Sequence, residues 1–372
     1  VTAAREPLRL PDFPWDALVP YGDRARKHSL GMIDLSVGSP VDPTPQIIRD
    51  ALTAATDAHS YPQVAGTPAL REAIVEWYGR RRGVHGLTVA NVLPSIGSKE
   101  LIAWLPLMLG IGVGDVVVQP TVAYPTYAIG AALAGASVVS SDEPAEWPEN
   151  TRLVWINSPG NPDGRVLGVD RMRAMVERAR ELGAVIASDE CYAELNWGAD
   201  EPTPSILDPR VIGDDRSNVL SVYSLSKQSN LAGYRAGFVA GCSRLIAELL
   251  GVRKHAGLIP PAPVQAAMIV ALGDEAHVAA QRELYRSRRD RLVSAVLAAG
   301  FRIDHSEAGL YLWATRGQDA WQTVADFADV GVLVVPGTFY GDNAPQHVRI
   351  ALTVSDEDAA AAADRIAGIA RA

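Results

Sequence analysis

Short apolar runs rich in valine and isoleucine recur through the middle of the chain, at 115–119, 137–140, 152–157, 184–188, 219–223 and 237–240. Between them lie stretches whose apolar positions repeat every three or four residues. The clearest is 169–182, where Val169, Met172, Met175, Val176, Ala179 and Leu182 share one helical face. Further helices are predicted at 45–56, at 126–134 and from a glycine-serine turn at 95–101 onward to 109. Strands that are apolar on both faces and alternate with helices predict an α/β fold, a mostly parallel sheet covered on both sides. Ligands of such sheets bind outside the carboxyl ends of the strands. Beyond 241 the pattern changes. A polar connector is expected at 253–263 and a long charged helix at 274–299. A smaller α+β unit follows, with strands near 309–313, 332–336 and 347–352 and a final alanine-rich helix. The expected division is therefore 1–44 as arm and part of the small unit, 45–252 as the large domain and 253–372 as the small C-terminal domain.

Composition narrows the chemistry. At 372 residues there is chain enough for two domains, and 48% hydrophobic with 21% charged residues is ordinary for a globular protein. A net charge of −9 argues against a nucleic-acid or anionic-membrane surface. Cys191 and Cys242 lie far apart beside apolar runs and read as buried thiols in a reducing compartment. No run is long enough to span a membrane, and the proline-broken start, 1–30, has no signal-peptide core, so the expected location is cytoplasmic. The seven histidines are scattered, with no metal-ligand spacing among them.

Only four of the 34 basic residues are lysines: Lys27, Lys99, Lys227 and Lys254. Lys27 and Lys254 sit in basic clusters that read as solvated surface, as does the arginine row of the helix at 274–299. Lys227 differs. It lies in SVYSLSKQSNLAGYRAGFVAG at 221–241, on a loop that also carries Ser224, Ser226 and Arg235 between two apolar strands. An amine that can be desolvated to its neutral form is a nucleophile, which a guanidinium is not. Arg349 lies inside the apolar strand at 347–352, where a charge needs an anion: a substrate carboxylate or a structural Asp or Glu.

The order Ser-x-Ser-Lys, then Asn-Leu-x-Gly-x-Arg-x-Gly, resembles the lysine signature of the class I/II aminotransferases. These are pyridoxal-phosphate (PLP) enzymes of fold type I, with a seven-stranded sheet and a smaller domain. The likeness runs from about residue 30 to 370 and recurs at SPGNPDG (158–164), SDECY (188–192), YPQVAG (61–66) and SIGSKEL (95–101). It implies that Lys227 forms the Schiff base with PLP and shuttles the substrate proton. Gly97, Ser98, Lys99, Ser224, Ser226 and Arg235 would hold the phosphate, and Asp189 would pair with the pyridine nitrogen, with Glu190 as the competing carboxylate. Asn161 and Tyr192 would bond the phenolic oxygen. Tyr124 would stack on the ring, with Tyr127 as its rival. Gly38, Asn161 and Arg349 would receive the substrate carboxylate, and Tyr61 would reach the phosphate of a partner in a homodimer.

Within the family, the 10–16 and 34–45 stretches and EAGLYLW (307–313) resemble the actinobacterial N-succinyldiaminopimelate aminotransferases. That likeness implies exchange of glutamate's amino group with N-succinyl-2-amino-6-oxopimelate, in lysine and diaminopimelate synthesis. An aminotransferase of another amino acid and a PLP-dependent cysteine-S-conjugate β-lyase would share every cofactor residue. A transcription regulator of this fold would need a DNA-binding domain ahead of the first motif, where this chain has about 30 residues.

Overall fold

A computed structural model describes residues 10–198 and 202–369. The first nine residues of the predicted arm and the last three of the predicted C-terminal helix lie outside the described residues. The central sheet has seven strands: β1 (Val92–Ile96), β2 (Val116–Gln119), β3 (Ser137–Ser140), β4 (Thr151–Asn157), β5 (Val185–Asp189), β6 (Val219–Ser224) and β7 (Ala236–Gly241). Their order is β1-β7-β6-β5-β4-β2-β3, with β7 antiparallel to both neighbours and the remaining pairs parallel. The apolar pattern does not reveal β1, because Pro94 interrupts it. The strand is nevertheless stable at the sheet's edge, where proline's missing N–H costs little.

Alternation along the strands divides the core into two layers. Val116, Val118, Val154, Ile156, Ile186 and Val219 pack against helices α1 (Pro68–Arg82) and, further on, Val169–Glu181. Val117, Leu153, Trp155, Ala187, Leu220 and Val222 face the opposite way, onto α2 (Gly97–Met108), α3 (Thr126–Ala134) and the helix Ser243–Ala256. Under the lysine loop, Trp77 of α1 meets Tyr223 and Phe238 with ring centroids 4.5 and 5.6 Å away, and the Tyr78 hydroxyl donates to Ser221 at 2.8 Å. Rigid aromatic packing of this kind fixes the ends of β6 and β7.

A third core lies around a four-stranded antiparallel sheet: β8 (Arg302–Ile303), β9 (Tyr311–Thr315), β10 (Val335–Pro336) and β11 (His347–Ala351), in the order β10-β11-β9-β8. A separate two-strand pairing joins Ile33–Asp34 to Val332–Leu333. The early chain is thereby tied to the C-terminal part. The long helix α4 (Ala276–Ala298) packs beside this core.

Two surface readings are corrected. The connector predicted at 253–263 is helical to Ala256, and Arg253 is fully buried against Glu100, at 2.9 and 3.2 Å. Arg288, in the row read as a solvated face, is buried between Asp42 at 2.7 Å and Asp356 at 2.6 Å. In both cases a carboxylate distant in sequence neutralises the charge that burial would otherwise penalise.

Candidate active site

Asn157, Asp189 and Ser224 end the parallel strands β4, β5 and β6, and Asp189, Ser224 and, just beyond β4, Asn161 line one cavity of about 850 Å³. Lys227 stands in the turn between β6 and β7 and lines this cavity. Its amine donates to the Gly38 carbonyl. Burial pushes the amine below its ordinary value, and the charges of Arg349 and Arg235 push it the same way. Gly38 also packs closely on Tyr311, where a Cβ would lie 2.0 Å from the Tyr311 hydroxyl.

At one end of the cavity the register of β1 with β7 sets Ile96 opposite Ala236, which brings the Gly97 turn beside Arg235. Gly97 has φ +71°, and a Cβ there would lie 2.3 Å from the Arg235 guanidinium. The turn therefore lies flat on the guanidinium. The first turn of α2, with Ser98 and the exposed Lys99, adds free amides and the positive end of the helix dipole. The Ser224 hydroxyl donates to Ser226 Oγ at 2.8 Å, so both hydroxyls face the same space. No carboxylate among the described residues pairs with Arg235. The group is a cup for a multiply charged anion.

Asp189 is its counterpart. It is buried, lines the cavity, and accepts from the Tyr127 hydroxyl at 3.0 Å and the Cys191 amide at 3.2 Å, with no cation paired to it among the described residues. Burial holds its carboxyl above the usual carboxylate range, against those two hydrogen bonds. A cationic ring N–H would supply the missing partner. Glu190, the rival, points elsewhere and is consumed by Arg82 at 3.1 Å, the Ser205 hydroxyl and the Ile206 amide. Glu190→Ala should therefore cost about 3–5 kcal/mol of stability by stranding buried Arg82, seen as a lowered Tm, while cofactor binding persists in the folded fraction.

Tyr127 is likewise placed as support. Its ring stacks on Trp155 with centroids 5.0 Å apart, whereas Tyr124 lines the cavity with its ring edge-on to Tyr127. Asn161 and Arg349 meet on the far side: Arg349 donates to Asn161 Oδ1 at 3.1 Å and to the Ser36 carbonyl at 2.6 Å. Arg349 is 3% exposed, yet its acceptors are an amide and a carbonyl, and among the described residues no carboxylate neutralises it. Of the two anions the sequence offered for Arg349, the structural Asp or Glu is absent among the described residues. Tyr192 lines the cavity and its hydroxyl is 3.2 Å from that of Tyr311. Tyr61 does not join the cavity. It is 98% exposed.

Sequence reading missed Tyr311. Its ring lies 4.0 Å under the Arg349 guanidinium. Burial alone would raise its phenol, but the charges of Arg349 and Lys227 and the hydrogen bond with Tyr192 together lower it. The alternation in Gly-Leu-Tyr-Leu-Trp, which puts Tyr311 and Trp313 on one face of β9, was the available signal. Leu10, Phe13 and Trp15, from the 10–16 stretch, form an apolar outer wall with Ile129 and Phe339, which no motif announced.

Comparison with known proteins decides the family. Residues 31–366 match the family described as aminotransferase class I and II. The chain belongs to that family. This aminotransferase is 54% identical over 358 residues to the 4-dedimethylamino-4-oxo-anhydrotetracycline transaminase of Streptomyces rimosus, covering 96% of this chain and 99% of that one. It is 34% identical over 359 residues to an LL-diaminopimelate aminotransferase of Dehalococcoides mccartyi, covering 90% of each. A crystal structure of an aminotransferase from Neisseria meningitidis superposes with a TM-score of 0.87 at 30% identity, covering 96% of this chain and 97% of that one. The aminotransferase is thus of fold type I and PLP-dependent. The site's charges fit that cofactor: a cup around Arg235 for a phosphate and an unpaired Asp189 for a ring N–H. Among the described residues no helix is long and apolar enough to cross a membrane.

Proposed function

We propose that this aminotransferase moves the amino group of glutamate onto a 2-oxo acid with a long side chain, N-succinyl-2-amino-6-oxopimelate being the first candidate. The observation that carries a 2-oxo acid is Arg349: a buried guanidinium without a carboxylate, in the cavity that holds Lys227. A planar fork of this kind binds a carboxylate in two parallel hydrogen bonds, with Asn161 beside it. The likeness to LL-diaminopimelate aminotransferases supports a diaminopimelate-type side chain.

Bound PLP supplies an electron sink for the pair left when the substrate Cα loses its proton. The chain's residues do the rest. Lys227 would hold the cofactor and then carry the proton between the substrate Cα and the cofactor's aldehyde carbon, for which its lowered basicity suits it. Asp189 keeps the proton on the ring nitrogen. Gly97, Ser98, Lys99, Ser224, Ser226 and Arg235 bind the phosphate. Tyr124 would lie against the ring, while Asn161 and Tyr192 would bond its phenolic oxygen. Gly38 and Arg349 orient the substrate carboxylate. Tyr61, exposed on the single chain, completes the partner's phosphate cup in a homodimer. The domains divide at 44/45 and after Gly273, not at 252/253, because the helix Ser243–Ala256 runs through 252/253 and the helix Ala262–Gly273 packs in the core of the large sheet.

One relative favours a second substrate class. The 54% likeness to the Streptomyces rimosus enzyme, together with the apolar wall at Phe13, Trp15 and Ile129, suits a polycyclic ketone in place of an open-chain acid. A panel of acceptors read by coupled glutamate consumption separates the two. Fastest turnover is expected with N-succinyl-2-amino-6-oxopimelate. Preference for the 4-oxo-anhydrotetracycline would transfer the assignment, and ketoacid-independent release of pyruvate from a cysteine conjugate would replace it with β-elimination.

A further inference from the structure

Two residues beyond Lys227, the Ser229 hydroxyl is fully buried and 2.8 Å from His277 Nε2. His277 Nδ1 lies 2.7 Å from Asp274 Oδ2, and the same carboxylate oxygen caps the start of α4 by accepting the His277 amide at 3.0 Å. The order Asp-His-Ser has the hydrogen-bond pattern of a nucleophilic triad. Its serine is sealed from every cavity described, so it does not attack a substrate.

The chain of hydrogen bonds runs further. Tyr223 donates to Gln228 Oε1 at 2.5 Å, and Gln228 Nε2 donates to Ser229 Oγ at 3.2 Å. In the tautomer with its N–H at Nδ1, facing the acceptor-only Asp274 carboxylate, His277 accepts the serine hydroxyl at Nε2. Each donor then points toward Asp274, from Tyr223 through Gln228, Ser229 and His277 in turn. Beside it, Asn230 holds the left-handed conformation, φ +52°, which asparagine adopts more readily than other non-glycine residues. Its amide donates to Gln281 of α4 at 2.7 Å and to the Pro43 carbonyl at 3.3 Å. Gln281 in turn donates to Asp42 at 2.8 Å. Asp42 and Pro43 follow Gly38, whose carbonyl receives the Lys227 amine.

We infer that Asp274, His277 and Ser229 form a buried latch by which α4 sets the position of the Lys227 loop, making His277 a positioning residue for the reactive amine. The inference rests on Lys227 carrying the cofactor. The backbone bonds of Ser229 and Leu231 to Leu225, at 3.2 and 3.4 Å, fold the loop on itself, and the side-chain bonds of Ser229 and Asn230 to His277 and Gln281 fix it to α4.

The test uses the holoenzyme and the variants His277→Phe, which removes the acceptor for Ser229, and His277→Gln, which keeps one. His277→Phe is expected to lower kcat about tenfold with KM for glutamate changed less than about twofold. It should also shift the pH midpoint of the visible cofactor band by about half a unit, and raise hydrogen exchange of amides 225–231 by about tenfold. His277→Gln should recover most of each change. A merely structural histidine would alter Tm and leave the band midpoint where it was. If His277→Phe does not fold, Asp274→Asn is measured instead, and an unmoved midpoint there overturns the latch. If the band persists in Lys227→Ala, the assignment of Lys227 fails first. If the band depends on Lys227 but ignores His277→Phe, the latch alone is wrong.

Discussion

Lys227→Ala is expected to lower transamination by about 10,000-fold or more and to remove the visible band of the bound cofactor. Two functions are lost together, the attachment of the cofactor and the transfer of the proton at Cα. No other lysine can replace it. Lys99 is exposed at the rim, while Lys27 and Lys254 do not line the cavity. Burial lowers the basicity of Lys227 in its own turn, and arginine could not titrate there at all. The variant should fold, because a truncated side chain beside a large cavity strands no buried charge. Steady-state rates with absorbance spectra, checked against an unchanged melting curve, measure the effect. Turnover within about tenfold of the parent would place the reactive amine elsewhere.

Asp189→Asn is expected to keep the cofactor bound and lose about a hundredfold or more in kcat. The amide is isosteric, so the bonds from Tyr127 and the Cys191 amide need only a small adjustment. What disappears is the negative charge that holds a proton on the ring nitrogen. In the carboxylate, burial raises the group and a cationic partner reverses that rise, so binding of the protonated ring and ionisation of Asp189 reinforce one another. The measurement is kcat together with cofactor affinity. Normal kcat in Asp189→Asn would assign the role to another group. Glu190 is no candidate for it, being committed to Arg82.

The family and the fold type were legible because the chemistry of the lysine loop is dense in sequence and the strands alternate with helices in regular order. Choices between neighbouring residues were not. Asp189 and Glu190 are adjacent, and the alternation at a strand end sends one into the cavity and the other into the opposite core. Tyr124 and Tyr127 are three apart, at the start of α3, and only packing on Trp155 shows which one is withheld from the cavity. Arg253 and Arg288 read as surface because their partners, Glu100 and Asp42, are 153 and 246 positions away. Pro94 concealed an edge strand that tolerates it. Tyr311 was concealed by lying in a motif that reads fully as an apolar strand. What the sequence lacked in each instance was distance in space, not residue chemistry.

The central claim is that Lys227 is the amine that carries the cofactor, and one measurement addresses it directly. The holoenzyme is reduced with borohydride, digested, and the pyridoxyl-modified peptide is mapped by mass spectrometry. A single modified lysine, Lys227, is expected, and no modification after prior addition of excess glutamate has converted the cofactor to its amine form. A label on Lys99 or Lys254, or a label on Lys227 that glutamate does not diminish, would contradict the claim.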